Sequence, residues 1–494
     1  MDTATMPPVE AVEAENAQLR MENTVLREQV AWLRRKLFGG GQGERIDDTQ
    51  LKLKLEEMEA RLEEQKTRKV SYERKVGRAK KNEPPKERFK DLPVRETVVI
   101  EPDEVKADPD LYERIGEETT FEVDITPPKL FKREIVRPKY RFKPERERPP
   151  VIAPAPPRPV EGGYASAGLL AWVVLSKYMD HLPLYRQEKM SPRWGAYLSR
   201  KTMADWVETV AEWLKPIYNY MRRSLLAGDY IQADETPVRY QDPDTKKGKS
   251  GEGWMWLISR PGGDVVFDWR LSRRHGELTS LLDGYTGLLQ SDGYGAYDRY
   301  DRGNDVTWIG CWAHARRKFY DALDNHPREA GRVLALIARL YAFEKRYREE
   351  ALDAPTRQRR RVSEQRRILK WLHVVIRICS RRALPKSGLG KACAYALAHW
   401  KPLCAYLDHG NVEIDNNLVE NAIRPSALGK KNWLFIGSPQ AGERSAIIYS
   451  LAISCQRHGI DPHAYLADVL ARVPRMTNQQ DFAPLAPSHW KTLR

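Results

Sequence analysis

The chain has 494 residues, of which 41% are hydrophobic and 9% aromatic, so it can form sizeable cores and is not a wholly disordered protein. Its 83 Lys and Arg against 68 Asp and Glu give a net charge of +15, which favours a polyanionic partner such as nucleic acid. No apolar run is long enough to span a bilayer, no signal peptide opens the chain, and the five cysteines form no CxxC pair. We expect a soluble cytosolic protein of about three domains, without a membrane partner, a disulfide scaffold or a Cys-rich zinc site.

Residues 1–65 carry heptad repeats that predict a coiled-coil oligomerisation region resembling a leucine zipper. A glycine-rich hinge at 39–43 separates a first run from a second, and Asn at core positions of the first run would fix its register. The core positions are Val12, Asn16, Leu19, Asn23, Leu26, Val30, Leu33 and Leu37, then Leu51, Leu55, Met58 and Leu62. An amphipathic helix packed on its own chain is the alternative. We favour a homo-oligomer, a dimer or larger.

The next three segments differ in composition. Residues 66–94 form a basic linker, with eleven Lys or Arg against three Glu between positions 66 and 90, which acts as a solvated tether or as an arm contacting phosphates. Residues 95–148 alternate in the manner of a small β module, with strands predicted at 96–100, 121–125 and 130–136. Residues 149–162 are a proline-rich linker, with six prolines between 149 and 159.

Residues 163–225 are predicted to be helical, with two short helices arranged like a helix-turn-helix. Ser199 is a favourable N-cap, and Arg200 and Lys201 in the first turn after it are candidate DNA contacts. Ordinary helical packing is the alternative.

Residues 226–326 have the pattern of the first part of an RNase H-like core. Strands are predicted at 230–238, 253–259, 264–269, 288–292 and 306–310, with helices at 276–282 and 313–323. Three strands, then helix, strand, helix and strand, is the order of such a mixed sheet. A helical insertion is predicted over 327–410, the last part of the core over 411–475 and a C-terminal tail over 476–494. The predicted fold class is thus multidomain α+β.

Two carboxylates stand at strand positions where a solvated charge is unusual. Asp234 interrupts a strand, and Asp292 ends another that would be its neighbour, so both would lie on one face of the sheet. Such oxygen ligands suit Mg²⁺ or Mn²⁺. The alternative is that each Asp caps a turn, since Asp-Gly is a common turn dipeptide. Further on, Asp415 or Asn416 can cap a helix with Glu420 one turn inside it, where a carboxylate is also favoured by the helix dipole alone.

These motifs together resemble a transposase of the insertion-sequence-66 family. The segments that carry the resemblance are APAPPRP at 153–159, SKYMDHLPLYRQ at 176–187, ADETPV at 233–238, LLQSDGYGAYD at 288–298, CWAHARRKF at 311–319, EIDNNLVENAIRP at 413–425, ALGKKNWLFIGS at 427–438 and DPHAYLADVLARV at 461–473. LRRKLFG at 33–39 and the zipper-like N-terminus also resemble that family.

The resemblance implies a DDE transposase with an RNase H-like catalytic core. By position the catalytic triad is Asp234, Asp292 and Glu420, which would hold two Mg²⁺ or Mn²⁺ ions. The spacings of 58 and 128 residues suit this, with the helical insertion before the last carboxylate. Members of the family usually carry a Cys-rich zinc segment before the proline linker, but no Cys precedes residue 311 here, so we expect no zinc and a degenerate, Cys-free β module.

Further basic residues in these motifs are candidate DNA contacts, although His314 is equally well explained as a structural histidine. They are His314, Arg316, Arg317, Lys318, Arg424, Lys430 and Lys431. The predicted function is cleavage at the element ends and 3′-hydroxyl strand transfer into target DNA, by a nucleoid-associated protein that binds double-stranded DNA. Accessory proteins of the same element are further candidate partners. The alternatives are an RNase H-like nuclease without joining activity and a non-catalytic DNA-binding protein derived from a transposase.

Overall fold

The computed structural model describes residues 128–140, 151–241, 250–303, 305–477 and 479–491, with Val94 and Asp110 as isolated positions. Apart from those two positions, the described residues belong to one compact unit, Glu122–Arg494. The predicted coiled coil at 1–65, the basic linker up to residue 93 and the strands predicted at 96–100 and 121–125 lie outside the described residues.

The described elements include seven strands and fourteen α-helices, and only helical elements follow the last strand. The strands are β1 Lys139–Tyr140, β2 Val151–Ile152, β3 Tyr230–Gln241, β4 Ser250–Ser259, β5 Val265–Arg270, β6 Gly287–Ser291 and β7 Val306–Gly310. The α-helices are α1 Ala167–Tyr178, α2 Leu184–Met190, α3 Arg200–Leu226, α4 His275–Leu281, α5 Gly295–Gly303, α6 Trp312–Tyr320, α7 Pro327–Glu349, α8 Ala354–Arg360, α9 Arg366–Arg382, α10 Gly388–Ala398, α11 Trp400–Ala405, α12 Asn417–Trp433, α13 Pro439–Arg457 and α14 Pro462–Arg472. A π-helical turn spans Arg361–Gln365, and 3₁₀ turns span Ser191–Trp194, Tyr406–Asp408, Val473–Arg475 and Ala483–Leu485.

The five-stranded sheet has the order β5-β4-β3-β6-β7. β5, β4 and β3 form an antiparallel meander, and β6 and β7 run parallel to β3. The predicted succession of strands and helices over 230–320 is confirmed, with bounds that shift by a few residues. The strands that carry Asp234 and precede Asp292 are therefore neighbours in the sheet, as predicted.

The strand predicted at 130–136 is wrong. These residues have no regular secondary structure, and the nearby strands are the two-residue antiparallel pair β1 and β2. The alternating apolar side chains that suggested a strand have no core to pack against, since Phe131 is 82% and Val136 73% exposed. Leu130 alone packs against the main core, where its N–H donates to the carbonyl of Trp194 (2.7 Å).

The main hydrophobic core lies between the sheet and helices α1, α3, α13 and α14. Helix α3 begins at the predicted N-cap, because the hydroxyl of Ser199 accepts from the N–H of Thr202. Helix α13 lies against β5, and the hydroxyls of Ser450 and Ser454 accept from the N–H groups of Phe267 and Val265 (both 2.8 Å). These serines satisfy backbone groups of an edge strand inside the core.

The second hydrophobic core joins β7 and α6 to helices α7, α9, α10 and α11. The helices predicted over 327–407 are thus observed. No helix in the described ranges combines the length and apolarity needed to cross a membrane.

Candidate metal-dependent active site

Asp234 and Asp292 lie at the same height on neighbouring strands. Gln232 of β3 pairs with Gln290 of β6 in parallel register, and each Asp follows its Gln by two residues. Since side chains alternate between the faces of a sheet, both carboxylates are directed to one face. Helix α12 covers that face, because the ammonium of its Lys430 donates to Thr236 Oγ1 (3.2 Å) and to the carbonyl of Pro237 (3.0 Å).

Glu420 lies in the first turn of α12. Asn416 is the N-cap residue by position, but its side chain makes no capping bond. Asp415 Oδ1 instead accepts from the N–H of Asn417 (3.1 Å), so the structure supports Asp415 among the two predicted capping residues. The hydroxyl of Tyr341 in α7 donates to Asp415 Oδ2 (2.7 Å) and fixes the segment that leads into the helix. The helical insertion thereby supports the position of Glu420.

The electrostatics indicate that these carboxylates interact. Burial raises the pKa of Asp234 well above its ordinary value, and the negative charges of Glu235, Glu420 and Asp292 raise it further. Asp234, Asp292 and Glu420 are thus near enough to influence the charge of Asp234, although their oxygens do not all lie within 4.8 Å of one another. In the absence of a cation their charges repel one another.

The turn after β6 holds Asp292 in place. Asp292 Oδ1 accepts from the N–H of Tyr294 (2.9 Å), which is the capping bond expected of an Asp-Gly turn. Gly293 lies against Tyr395 of α10, and a Cβ added at Gly293 would come within 2.5 Å of the Tyr395 ring. The other oxygen of Asp292 takes no part in this capping bond, so a turn role and a ligand role are compatible.

The donor set fits a divalent metal. Three carboxylates supply the oxygen ligands that Mg²⁺ and Mn²⁺ prefer. Glu420 Oε1 is buried and has no hydrogen-bond partner, and neither has His314 Nδ1, which lies 3.4 Å from it. A buried carboxylate oxygen without a hydrogen-bond partner is available as a metal ligand.

Sequence analysis missed a buried ion pair beside this site. Glu235 is almost fully buried; its Oε1 accepts from Arg273 Nε (2.6 Å) and its Oε2 from the hydroxyl of Tyr297 (2.7 Å). The Arg273 guanidinium stacks on the ring of Tyr294, 3.7 Å from its centroid. Tyr294 and Tyr297 were both in the DGYGAYD motif, but nothing in the sequence marked Arg273.

The candidate DNA contacts divide into exposed and structural residues. Seven are exposed: Arg200 and Lys201 on α3, Arg316, Arg317 and Lys318 on α6, and Arg424 and Lys431 on α12. Lys430 is half-buried and holds α12 to β3, and burial lowers its pKa. His314 lies beside Glu420, so it is placed at the carboxylate cluster.

Comparison with known proteins places the chain among transposases. The family model described as "Transposase IS66 family" matches residues 162–444, which include all three carboxylates. The model "IS66 C-terminal element" matches residues 450–488, and "Transposase C of IS166 homeodomain" matches residues 25–97.

Three similar proteins come from Sinorhizobium fredii. The uncharacterized protein y4jD is 35% identical over 76% of this chain and 76% of its own length. The uncharacterized protein y4qI is 33% identical over 90% of this chain and 84% of its own, and the uncharacterized protein y4hP is 29% identical over 89% and 84%. With matching models across the length of the sequence and relatives of this similarity, the chain belongs to the IS66 family of transposases.

Proposed function

We propose that the chain is a DDE transposase that cuts DNA at the ends of its insertion sequence and joins the freed 3′ ends to target DNA. The observation that carries the proposal is the placement of three carboxylates: Asp234 on β3, Asp292 at the end of the neighbouring β6, and Glu420 at the start of α12, which packs over β3. Burial, together with the charges of Glu235, Glu420 and Asp292, raises the pKa of Asp234, as is expected of a carboxylate placed to bind a cation.

The sheet supports an RNase H-like catalytic core. Three antiparallel strands followed by two strands parallel to the first of them give the order β5-β4-β3-β6-β7. The first two carboxylates stand on the central pair of strands, and the third arrives on a helix after the α7–α11 region. This arrangement lets residues far apart in sequence meet on one face of the sheet.

Asp234, Asp292 and Glu420 would hold Mg²⁺ or Mn²⁺, and we propose two ions. Bound there, such ions would supply Lewis-acid stabilisation of the scissile phosphate and activation of the nucleophile. The chain contributes the fixed positions of the carboxylates: strand pairing sets the first two, and the capped start of α12 sets the third.

The reaction needs two displacements at phosphorus. In the first, water attacks the phosphodiester at the element end and the 3′-oxygen leaves as a hydroxyl. In the second, that 3′-hydroxyl attacks a target phosphodiester, so that one P–O bond forms as another breaks and no covalent enzyme–DNA intermediate is required. Exposed Arg316, Arg317 and Arg424 lie on the helices that carry His314 and Glu420, where they would hold backbone phosphates and position the DNA.

The test uses the full chain with labelled duplexes that carry the terminal repeats flanking its own gene, a supercoiled target plasmid, and Mg²⁺, Mn²⁺ or EDTA. We expect metal-dependent cleavage at the repeat end and a labelled product covalently joined to the plasmid. Pre-cut ends should also be joined. Cleavage without joining of pre-cut ends would indicate a nuclease, and binding without either product would indicate a DNA-binding protein; both results contradict the proposal.

A further inference from the structure

Three chemically different ligand groups meet where the start of α6 faces α12. Cys311 directly precedes α6, His314 lies one turn into it, and Glu420 comes from α12. One ligand atom from each of the three lies within 4.8 Å of the other two. Among the described residues, this is the one group of three or more His, Cys, Asp or Glu side chains with that proximity.

Two of the three ligand atoms have unmet bonding capacity. His314 Nδ1 and Glu420 Oε1 are both buried without a hydrogen-bond partner, although they lie 3.4 Å apart. Buried polar atoms in native proteins are nearly always satisfied, and at 3.4 Å these two form at most a long ion pair, which requires a protonated imidazole. A cation between them would satisfy both, since a neutral imidazole nitrogen and a carboxylate oxygen are both electron-pair donors.

A backbone hydrogen bond joins the two segments that carry these residues. The N–H of Trp312 donates to the carbonyl of Ile414 (3.2 Å), which ties the start of α6 to the segment that enters α12. Cys311 is 1% exposed, whereas the side chains of His314 and Glu420 are 24% and 21% exposed. The side chains of the histidine and the glutamate are therefore the part of the group nearest to solvent, and the sulfur is the innermost ligand.

The donor set differs from that of the carboxylates of β3 and β6. Thiolate, imidazole and carboxylate together suit a borderline-soft cation such as Zn²⁺, whereas Mg²⁺ takes oxygen ligands. Zn–S bonds of about 2.3 Å and Zn–N or Zn–O bonds of about 2.0–2.1 Å put tetrahedral ligand atoms roughly 3.3–3.7 Å apart. The observed 3.4 Å between His314 Nδ1 and Glu420 Oε1 lies in that range, and the ligand atoms of all three residues lie within 4.8 Å of one another.

We infer that Cys311, His314 and Glu420 form a binding site for a zinc-class divalent cation, with a fourth position open to solvent. On binding, the thiol of Cys311 loses its proton to solvent, and the cation compensates the buried thiolate. This departs from the expectation of a zinc-free chain, which rested on the absence of Cys before residue 311. The site shares Glu420 with the proposed catalytic triad, but the inference does not depend on transposition activity.

The test is a titration of the reduced, metal-free full chain with Co²⁺ alone, followed by absorbance. We expect a thiolate-to-cobalt charge-transfer band in the near ultraviolet and intense visible bands of four-coordinate Co²⁺, which saturate at one equivalent. Zn²⁺ should remove both, and excess Mg²⁺ should not. Because the readout is a sulfur–metal band, it is separate from any cleavage or joining assay.

Variants assign the band to Cys311 and His314. Cys311→Ser should abolish the charge-transfer band, and His314→Gln should weaken Co²⁺ binding by more than about tenfold, since even outer-shell partners are worth about 10- to 100-fold in metal affinity. Cys404→Ser is the matched control, because Cys404 is less buried than the other described cysteines and lies outside the group. It should leave the titration unchanged.

Two results would overturn the inference. One is a folded wild-type chain that shows no thiolate–cobalt band with Co²⁺ in large excess. The other is a band that survives Cys311→Ser or disappears in Cys404→Ser. Circular dichroism establishes whether each variant is folded. If a variant does not fold, the titration of the wild-type chain still decides whether the site binds Co²⁺.

Discussion

At Asp234, burial and the neighbouring negative charges both raise the pKa of the carboxyl group. It lies within β3 with the carboxylates of Glu235, Glu420 and Asp292 near it, and its pKa is raised. An acid whose pKa is raised on folding contributes stability below its ordinary pKa and loses that contribution as the pH rises through the folded-state value. At neutral pH the metal-free chain therefore carries a destabilising charge at this position.

Replacing Asp234 with Asn should raise the thermal stability of the metal-free chain at neutral pH. The gain should disappear near pH 4 and below, where the wild-type carboxyl is already protonated. Each kcal/mol recovered would raise Tm by about 1–2 °C in a unit as large as Glu122–Arg494. Calorimetry in EDTA measures the effect, and Mg²⁺ should stabilise the wild type more than the variant. A variant that melts below the wild type at neutral pH would show that Asp234 is not a strained carboxylate.

The sequence pattern marked Asp234 and Asp292 as unusual strand carboxylates, and the resemblance to a transposase family added Glu420 and the role of all three. Neither revealed the Glu235–Arg273–Tyr297 network. The partners of Glu235 lie 38 and 62 residues away along the chain, and no local pattern links them. Glu235 is also a poor control for the triad, since breaking its buried ion pair would destabilise the fold.

At the scale of elements, the strands of the sheet were predictable because their apolar runs are bounded by turn residues and pack on both faces. The segment at 130–136 shows the limit of that argument: it has the alternation of a strand, but its side chains are exposed. Alternation indicates a strand only where a core exists to receive one face, and that is a tertiary property.

The turn between β6 and α5 needs glycine at position 293. In Gly293→Ala the new methyl group would collide with Tyr395, so either the ring or the turn that holds Asp292 must shift. We expect a loss of about 1–3 kcal/mol in the free energy of unfolding, as for an overpacked core site. Denaturant titration measures it, and joining activity should fall in parallel.

Gly295→Ala is the matched control for this turn. A Cβ added at Gly295 meets nothing within 4 Å, and the residue begins helix α5. Its stability and activity should stay close to wild type. If both alanine variants behave alike, the contact with Tyr395 does not position Asp292.

Arg361 fixes the helical region before α12. It is fully buried, pairs with Glu344 (2.6 Å), and donates to the carbonyls of Tyr406, His409 and Val412. Removing one partner of a buried ion pair typically costs about 3–5 kcal/mol. Arg361→Met should therefore lower the free energy of unfolding by that order in a urea titration.

Arg359→Met serves as the control for Arg361, because Arg359 is exposed and its guanidinium only donates to Thr356 Oγ1 (2.9 Å). A surface change of this kind should stay within about 0.5 kcal/mol. Equal effects of the two substitutions would mean that the buried pair is not what holds these helices together.

At the scale of the whole molecule, transposition requires one assembly to hold two DNA ends. The heptads at 12–37 and 51–62 predict that residues 1–65 form this assembly by self-association. Deleting residues 1–65 should reduce the mass in light scattering from an oligomer to a single chain, while the β3–β7 sheet and its packed helices stay folded. An oligomer of unchanged size in the truncated chain would refute the zipper role.

The central claim is that Asp234 and Asp292 ligate metal during DNA joining, and a change of metal preference tests it most directly. The rate of joining of pre-cut ends is measured for Asp234→Cys and Asp292→Cys in Mg²⁺ and in Mn²⁺, with the exposed Asp283→Cys as control. We predict that Mg²⁺-dependent joining falls by at least about 10²- to 10³-fold in the first two variants and that Mn²⁺, which accepts sulfur more readily, restores part of it. Near-normal joining by Asp234→Cys or Asp292→Cys in Mg²⁺ would contradict the account.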